Sequence, residues 1–125
     1  MGTRKETFSA GEFTITDNSE LFRNASFAAK IAALEAVGNQ VVSDAKDNLE
    51  DDPRRVDTGR LKNSITHAVV DDTAVIIGTN VEYAIYVHEG TRKMEANRFL
   101  KRAIDEHRDE LKDIVREQFE NAQGG

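Results

Sequence analysis

The chain has 125 residues, 38% apolar and 32% charged, with a formal net charge of -6 and no cysteine. This predicts one domain spanning 1–125, with a modest core built from amphipathic faces. Disulfides, thiolate metal sites and cysteine nucleophiles are excluded. The acidic balance disfavours a dedicated nucleic-acid binder, which needs clustered Lys and Arg against phosphate, but leaves room for a conduit wall that repels DNA. No run approaches the roughly 18 apolar residues of a membrane helix. No apolar block follows Met1-Gly2-Thr3-Arg4-Lys5-Glu6-Thr7, so no secretory signal is expected and synthesis in the reducing cytoplasm is.

Residues 1–18 read as an N-terminal arm in which Glu12-Phe13-Thr14-Ile15-Thr16 alternates at period two, as a short strand does. Asp17-Asn18-Ser19 then offers N-cap residues for a helix over 20–50, with Phe27, Ile31, Leu34, Val41, Ala45 and Leu49 at helical spacing. Gly38 stands where a larger apolar residue is expected. Such a helix would run about 46 Å at about 1.5 Å per residue, more than the roughly 36 Å diameter of a domain this size. It should therefore kink near Gly38 or overhang onto a neighbour. Pro53 ends it.

A polar loop is expected over 53–61, with Arg54, Arg55 and Arg60 in it and Gly59 in a turn, followed by Lys62 and a β-hairpin over 63–78 turning at Asp71-Asp72. Residues 81–88 form a short apolar segment that fits a strand or a helical turn equally. A second polar loop over 90–97 carries Arg92 and Lys93. Phe99, Leu100, Ala103, Ile104, Leu111, Ile114, Val115 and Phe119 then mark an amphipathic helix over 99–121. The sum is an α+β domain: a long N-terminal helix, a small antiparallel sheet and a C-terminal helix. Ile31, Leu34, Val41, Ile76, Leu111 and Ile114 are the expected contacts between helices and sheet.

The residues assemble no catalytic template. His67, His88 and His107 lack the His-x-x-x-His spacing of a zinc helix, and no serine sits in a Gly-x-Ser-x-Gly turn. Glu82, Glu89 and Glu95 are carboxylates with few aromatic platforms to hold a sugar beside them. Gly59, Gly78 and Gly90 match no phosphate loop. No catalytic residue, metal or cofactor is expected.

Two motifs carry a resemblance. Thr58-Gly59-Arg60-Leu61 with Ser64 precedes Tyr83-Ala84-Ile85-Tyr86-Val87-His88-Glu89-Gly90-Thr91, and Phe99-Leu100 opens the last helix. This arrangement, over about 53–103, resembles the small tail-component or tail-completion proteins of long-tailed bacteriophages and prophages. The chain departs in carrying His88-Glu89 where many relatives have a carboxylate and an aromatic, and Arg98 where many have proline. The resemblance implies a structural protein without enzymatic activity, a ring subunit (hexamer preferred) of the virion neck and tail, assembled in the host cytoplasm. Its partners would be neck, connector and tail-tube proteins, with DNA passing through the lumen unbound. A head-closing stopper is the alternative station, and a small non-viral regulatory or toxin-like binding protein the alternative class. The candidate interaction residues are Arg54, Arg55, Arg60, Lys62, Tyr83, Tyr86, His88, Glu89, Arg92 and Lys93, and Tyr83 and Tyr86 are expected to be partly buried anchors.

Overall fold

One helix supplies more of the core than any other element. In the computed structural model, which describes residues 8–15, 20–50, 58–81, 83–92 and 96–124, helix α2 (Phe27–Glu50) buries Ala29, Ala33, Leu34, Val37, Gly38, Val41, Ala45 and Leu49. These recur every three or four residues, so they line one broad stripe. Against that stripe pack a three-stranded antiparallel sheet and two C-terminal helices, α5 (Phe99–Asp105) and α6 (Arg108–Gly124). The fold is α+β.

The sheet runs in the order β1-β3-β2, with β1 (Phe8–Thr14), β2 (Thr66–Asp71) and β3 (Ala74–Thr79). β2 and β3 form a hairpin whose turn is held by the Asp71 carboxylate, which accepts bonds from the Thr73 amide (2.8 Å) and hydroxyl (2.7 Å). Those bonds, the hydroxyl's first, hold the Asp71 carboxyl below its ordinary range. β1 comes back from the start of the chain to pair with β3, Phe13 opposite Val75 and Glu12 opposite Ile76. Period-two alternation then decides which residues are core. Phe13, Val75 and Ile77 lie in the row that faces α2 and are buried, whereas Ile76 lies on the opposite face and is half-exposed. Of the expected core contacts, Leu34, Val41 and Leu111 are fully buried; Ile31, Ile76 and Ile114 are only partly so.

The helix expected over 20–50 is two helices. α1 (Glu20–Asn24) ends at Ala25, and Ser26 starts α2 as its N-cap, its hydroxyl accepting the Ala29 amide at 3.0 Å. The expected caps at 17–19 lie outside the described residues. The break leaves α2 at 24 residues, about 36 Å long, no longer than the diameter expected of the domain. Nor does α2 break at Gly38. That glycine is small because the His67 ring of β2 lies on it, where a Cβ would overlap the imidazole, while His67 Nε2 meets the Glu35 carboxylate at 2.6 Å.

Further boundaries shift for local reasons. Residues 58–61, expected in a loop, open helix α3 (Thr58–Ser64), so the hairpin starts at Thr66 rather than 63, and Gly59 sits in a helical turn with open space around it. The segment 81–88 resolves as helix α4 (Ala84–Glu89): Ala84, Val87 and His88 are buried at helical spacing while Ile85 and Tyr86 point out. The helix expected over 99–121 is interrupted at Glu106-His107. There the Leu111 amide bonds the His107 carbonyl, and the His107 ring meets Glu110 at 2.7 Å, capping α6. Asp109 and Glu110 in the first turn of α6 suit its positive end. α6 closes the core with Leu111, Val115 and Phe119, the last tilted against Phe22 of α1 at 5.9 Å between centroids.

The Gly38–His67 contact reverses a familiar sign. Gly to Ala inside a helix ordinarily stabilises by about 0.5–1 kcal/mol. Here Gly38→Ala should destabilise by about 1–3 kcal/mol through overpacking, and in a His67→Ala background the same substitution should become neutral or stabilising. Urea denaturation midpoints of the four chains test this; an equal effect of Gly38→Ala in both backgrounds would contradict the contact.

Candidate functional site

The two motif segments, about twenty residues apart in sequence, meet in space at the end of β3. Leu61 of α3 is buried, and the Ser64 hydroxyl bonds both the Leu61 carbonyl (2.6 Å) and the hydroxyl of Thr79, the last residue of β3. Thr79 in turn accepts the Val81 amide at 3.1 Å, which sets the chain turning into α4. Arg60 of α3 lies over the Tyr83 ring, 5.5 Å from its centroid, a cation–π contact worth about 0.5–1 kcal/mol at an exposed site. Lys62 reaches back to Glu50 at the end of α2 (2.6 Å), and the bond and charge of Lys62 keep the Glu50 carboxyl below its ordinary range. Arg60, Leu61 and Ser64 of α3, with Thr79, therefore form the bracket from which the chain enters α4.

α4 is then fastened to α5 from both ends. Its last carbonyls, on Tyr86, Val87 and His88, accept the amides of Gly90 (2.8 Å), Asn97 (2.9 Å) and Arg98 (3.0 Å). In return, the His88 ring caps the start of α5: Nε2 accepts the Lys101 amide at 3.3 Å, and Nδ1–H donates to Glu89 at 3.0 Å. These bonds fix a neutral ring with its proton on Nδ1. His88 is 1% exposed and stands edge-on to Phe99 at 5.2 Å. Burial lowers its pKa most; Glu89 works against that, and the charges of Arg98 and Lys101 reinforce it. Asn48 of α2 completes the joint by donating to the Phe99 carbonyl at 3.1 Å.

Two backbone positions at the junction are unusual. Gly90 has φ 83° and ψ 172°, a region open to glycine alone. Arg98 has φ 56° and ψ 42°, which proline, locked near about -65°, cannot adopt. A proline at 98 would not preset α5 here; the loop is held instead by the His88 and Val87 carbonyls.

The candidate interaction residues separate accordingly. His88 is buried and acts inside the chain, which removes it from the surface. Tyr83 is half-buried against the core, as expected of an anchor. Tyr86, expected to be partly buried as well, is 57% exposed, because it falls on the outer side of α4 where the segment is helical. Ile85, which sequence reasoning did not single out, is exposed beside it at 44%. Arg60, Glu89 and Arg92 are exposed and Lys62 is half-buried. Arg54, Arg55 and Lys93 lie outside the described residues. No group of three or more His, Asp or Glu among the described residues is placed to hold a metal ion, and no helix among them is long and apolar enough to cross a membrane.

The buried His88 makes stability depend on pH in a stated direction. An unfolded histidine titrates near 6.5 and the folded chain holds His88 lower, so acid favours the unfolded state. The stabilisation from the neutral cap is complete above about pH 6.5 and is lost as the pH falls through the folded value. His107 runs oppositely: its bond to Glu110, with the charge of Asp44, raises its pKa, so its contribution is present in acid and fades as the pH rises. His88→Ala should cost about 1–3 kcal/mol at pH 8, and the gap to the parent chain should narrow from about pH 6.5 towards 5. A gap constant across that range would contradict the neutral cap.

A family model described as "Bacteriophage HK97-gp10, putative tail-component" matches residues 19–90, more than half of the chain. The match takes in α1 through α4, the bracket and the exposed Ile85-Tyr86 pair included, and stops before α5 and α6. No curated protein and no solved structure matches the chain. The chain belongs to the HK97-gp10-like family of bacteriophage tail components.

Proposed function

We propose that this tail component completes the tail at the head–tail interface, as a subunit of a ring whose contacts are made through α4 and the charged residues around it. The observation that carries the reading is Tyr86. In a chain with two tyrosines and no tryptophan, the family-matched segment spends one of them on the outside of a helix that hydrogen bonds tie to the start of α5. Ile85 next to it is exposed as well, Arg60 lies over the ring of Tyr83 one turn earlier, and Arg92 is exposed. An exposed aromatic with an exposed apolar neighbour, and arginines exposed on adjoining segments, is the composition of a protein–protein anchor.

The ring is preferred as a hexamer on the strength of the family resemblance. The net charge of -6 supports a lumen through which DNA passes without being held, since a wall without clustered cations gains nothing from phosphate. Assembly takes place in the host cytoplasm, and the neck, connector and tail-tube proteins are the partners.

Tyr86→Ala and Arg92→Glu test the reading. Each should leave the stability of the isolated chain within about 0.5 kcal/mol, because neither side chain is part of the core. In the phage, Tyr86→Ala should remove an anchor worth about 2 kcal/mol or more per contact, and electron microscopy should show filled heads separate from tails. Normal virion yield from a stable Tyr86→Ala protein would contradict the proposal.

A further inference from the structure

The three histidines of this chain each stand where two elements meet, and the joints differ in what the ring finds there. His67 of β2 meets the Glu35 carboxylate of α2 at 2.6 Å. His107, at the head of α6, meets the Glu110 carboxylate at 2.7 Å, with Asp44 of α2 at 3.9 Å. A carboxylate accepts from any ring nitrogen that carries a proton, so a charged imidazole keeps both of these partners. His88 is placed otherwise. Its Nε2 accepts the Lys101 amide at 3.3 Å, and a backbone N–H can only donate. A proton on Nε2 therefore sets donor against donor and breaks the bond between α4 and α5.

The surroundings of the ring give a charged form one direction to move. Among the described residues, the charges that act on it are Glu89 of α4, Arg98 in the turn before α5, and Lys101 of α5. Glu89, whose side chain is half-exposed, bonds Nδ1 at 3.0 Å and favours the charge, whereas Arg98 and Lys101 oppose it. α2 contributes Asn48 to the joint, a neutral group. A charged ring at 1% exposure is thus drawn towards Glu89 and water, away from α5. What the ring holds shut does not stay shut unaided. Arg98 keeps a left-handed backbone that is unfavourable for a side chain with a Cβ, and α4, at six residues, is too short to remain helical alone. The Asn97 and Arg98 amides bond the Val87 and His88 carbonyls only while α4 and that turn stay together.

We propose that His88 is an acid-released latch, whose protonation at Nε2 parts α4 from the start of α5 while α2, α6 and the sheet stay folded. A histidine freed from the joint titrates near 6.5, and burial holds the closed ring below that value. The latch is therefore closed above about pH 6.5, and opening grows as the pH falls through the folded value. It depends only on bonds within the chain and stands apart from the assembly reading; under that reading, acid loosens the helix that carries Ile85 and Tyr86.

Amide hydrogen exchange followed by NMR at pH 7.5 and pH 5, with each amide's intrinsic rate divided out, tests the latch. Opening read at the Asn97, Arg98 and Lys101 amides should increase several-fold, with about thirtyfold as the limit for a closed ring that binds no proton. The Val75 and Ile77 amides of β3 should stay better protected, and they should lose protection in dilute urea while the joint amides do not respond to it. His88→Gln can place an amide oxygen near the Nε2 position but cannot take up charge, so it should abolish the pH dependence at the joint. If that variant does not fold, the urea comparison in the parent chain decides. Joint amides that exchange only together with Val75 and Ile77, with the same urea slope, would overturn the latch. So would a pH dependence that survives in a folded His88→Gln chain.

Discussion

Everything in this fold leans on α2, which has to satisfy two sets of neighbours at once. His67 of the sheet rests on Gly38 and bonds Glu35; Asp44 faces His107 at the head of α6, and Asn48 bonds the first residue of α5. A helix packed by a sheet on one flank and helices on the other needs a buried stripe wider than a single seam, with small residues where neighbours come closest. Ala29, Ala33, Gly38 and Ala45 supply the closeness, and Leu34, Val37, Val41 and Leu49 fill the space between. The placement of α4 follows from this indirectly. α4 touches solvent on one side, and its position is set by α3 and α5, both of which are anchored to the C-terminal end of α2 through Glu50 and Asn48.

In the proposed reading, that arrangement is what lets an exposed tyrosine serve assembly. A docking side chain is effective when its backbone does not have to be ordered on binding, since ordering costs about 1–2 kcal/mol per residue. α4 is only six residues long, far too short to hold itself together. Its hydrogen bonds to Gly90, Asn97 and Arg98, with Ala84, Val87 and His88 sunk in the core, do that instead. The fold pre-organises Tyr86 at the cost of a left-handed Arg98 and a glycine at 90 with no substitute.

The class of the fold and much of its core were legible in the residues, because α2 and α6 have long periodic stripes and β3 is a β-branched run. Leu34, Val41, Leu111 and Phe119 were readable for that reason. What could not be read depended on contacts across the chain. Residues 20–24 are as helical as those after them, so only the serine at 26 hinted at a break, and its capping bond identifies it. Gly38 looked like a kink until His67, on another element, was placed on it. The period of 81–88 is ambiguous over so few residues, and that ambiguity hid the difference between a buried Tyr86 and an exposed one. His88 read as a surface group because its partner, the Lys101 amide, is thirteen residues away and is positioned only by the turn through Arg98. The family motifs were recognisable as a pair, whereas their meeting through Ser64, Thr79, Arg60 and Tyr83 was not.

A reconstruction of the virion neck by electron cryomicroscopy tests the central claim most directly. The account predicts a ring of this chain at the head-proximal end of the tail, with Ile85 and Tyr86 of α4 enclosed by protein density. A particle in which the chain is missing from that position, or is present with α4 facing open solvent, would contradict it.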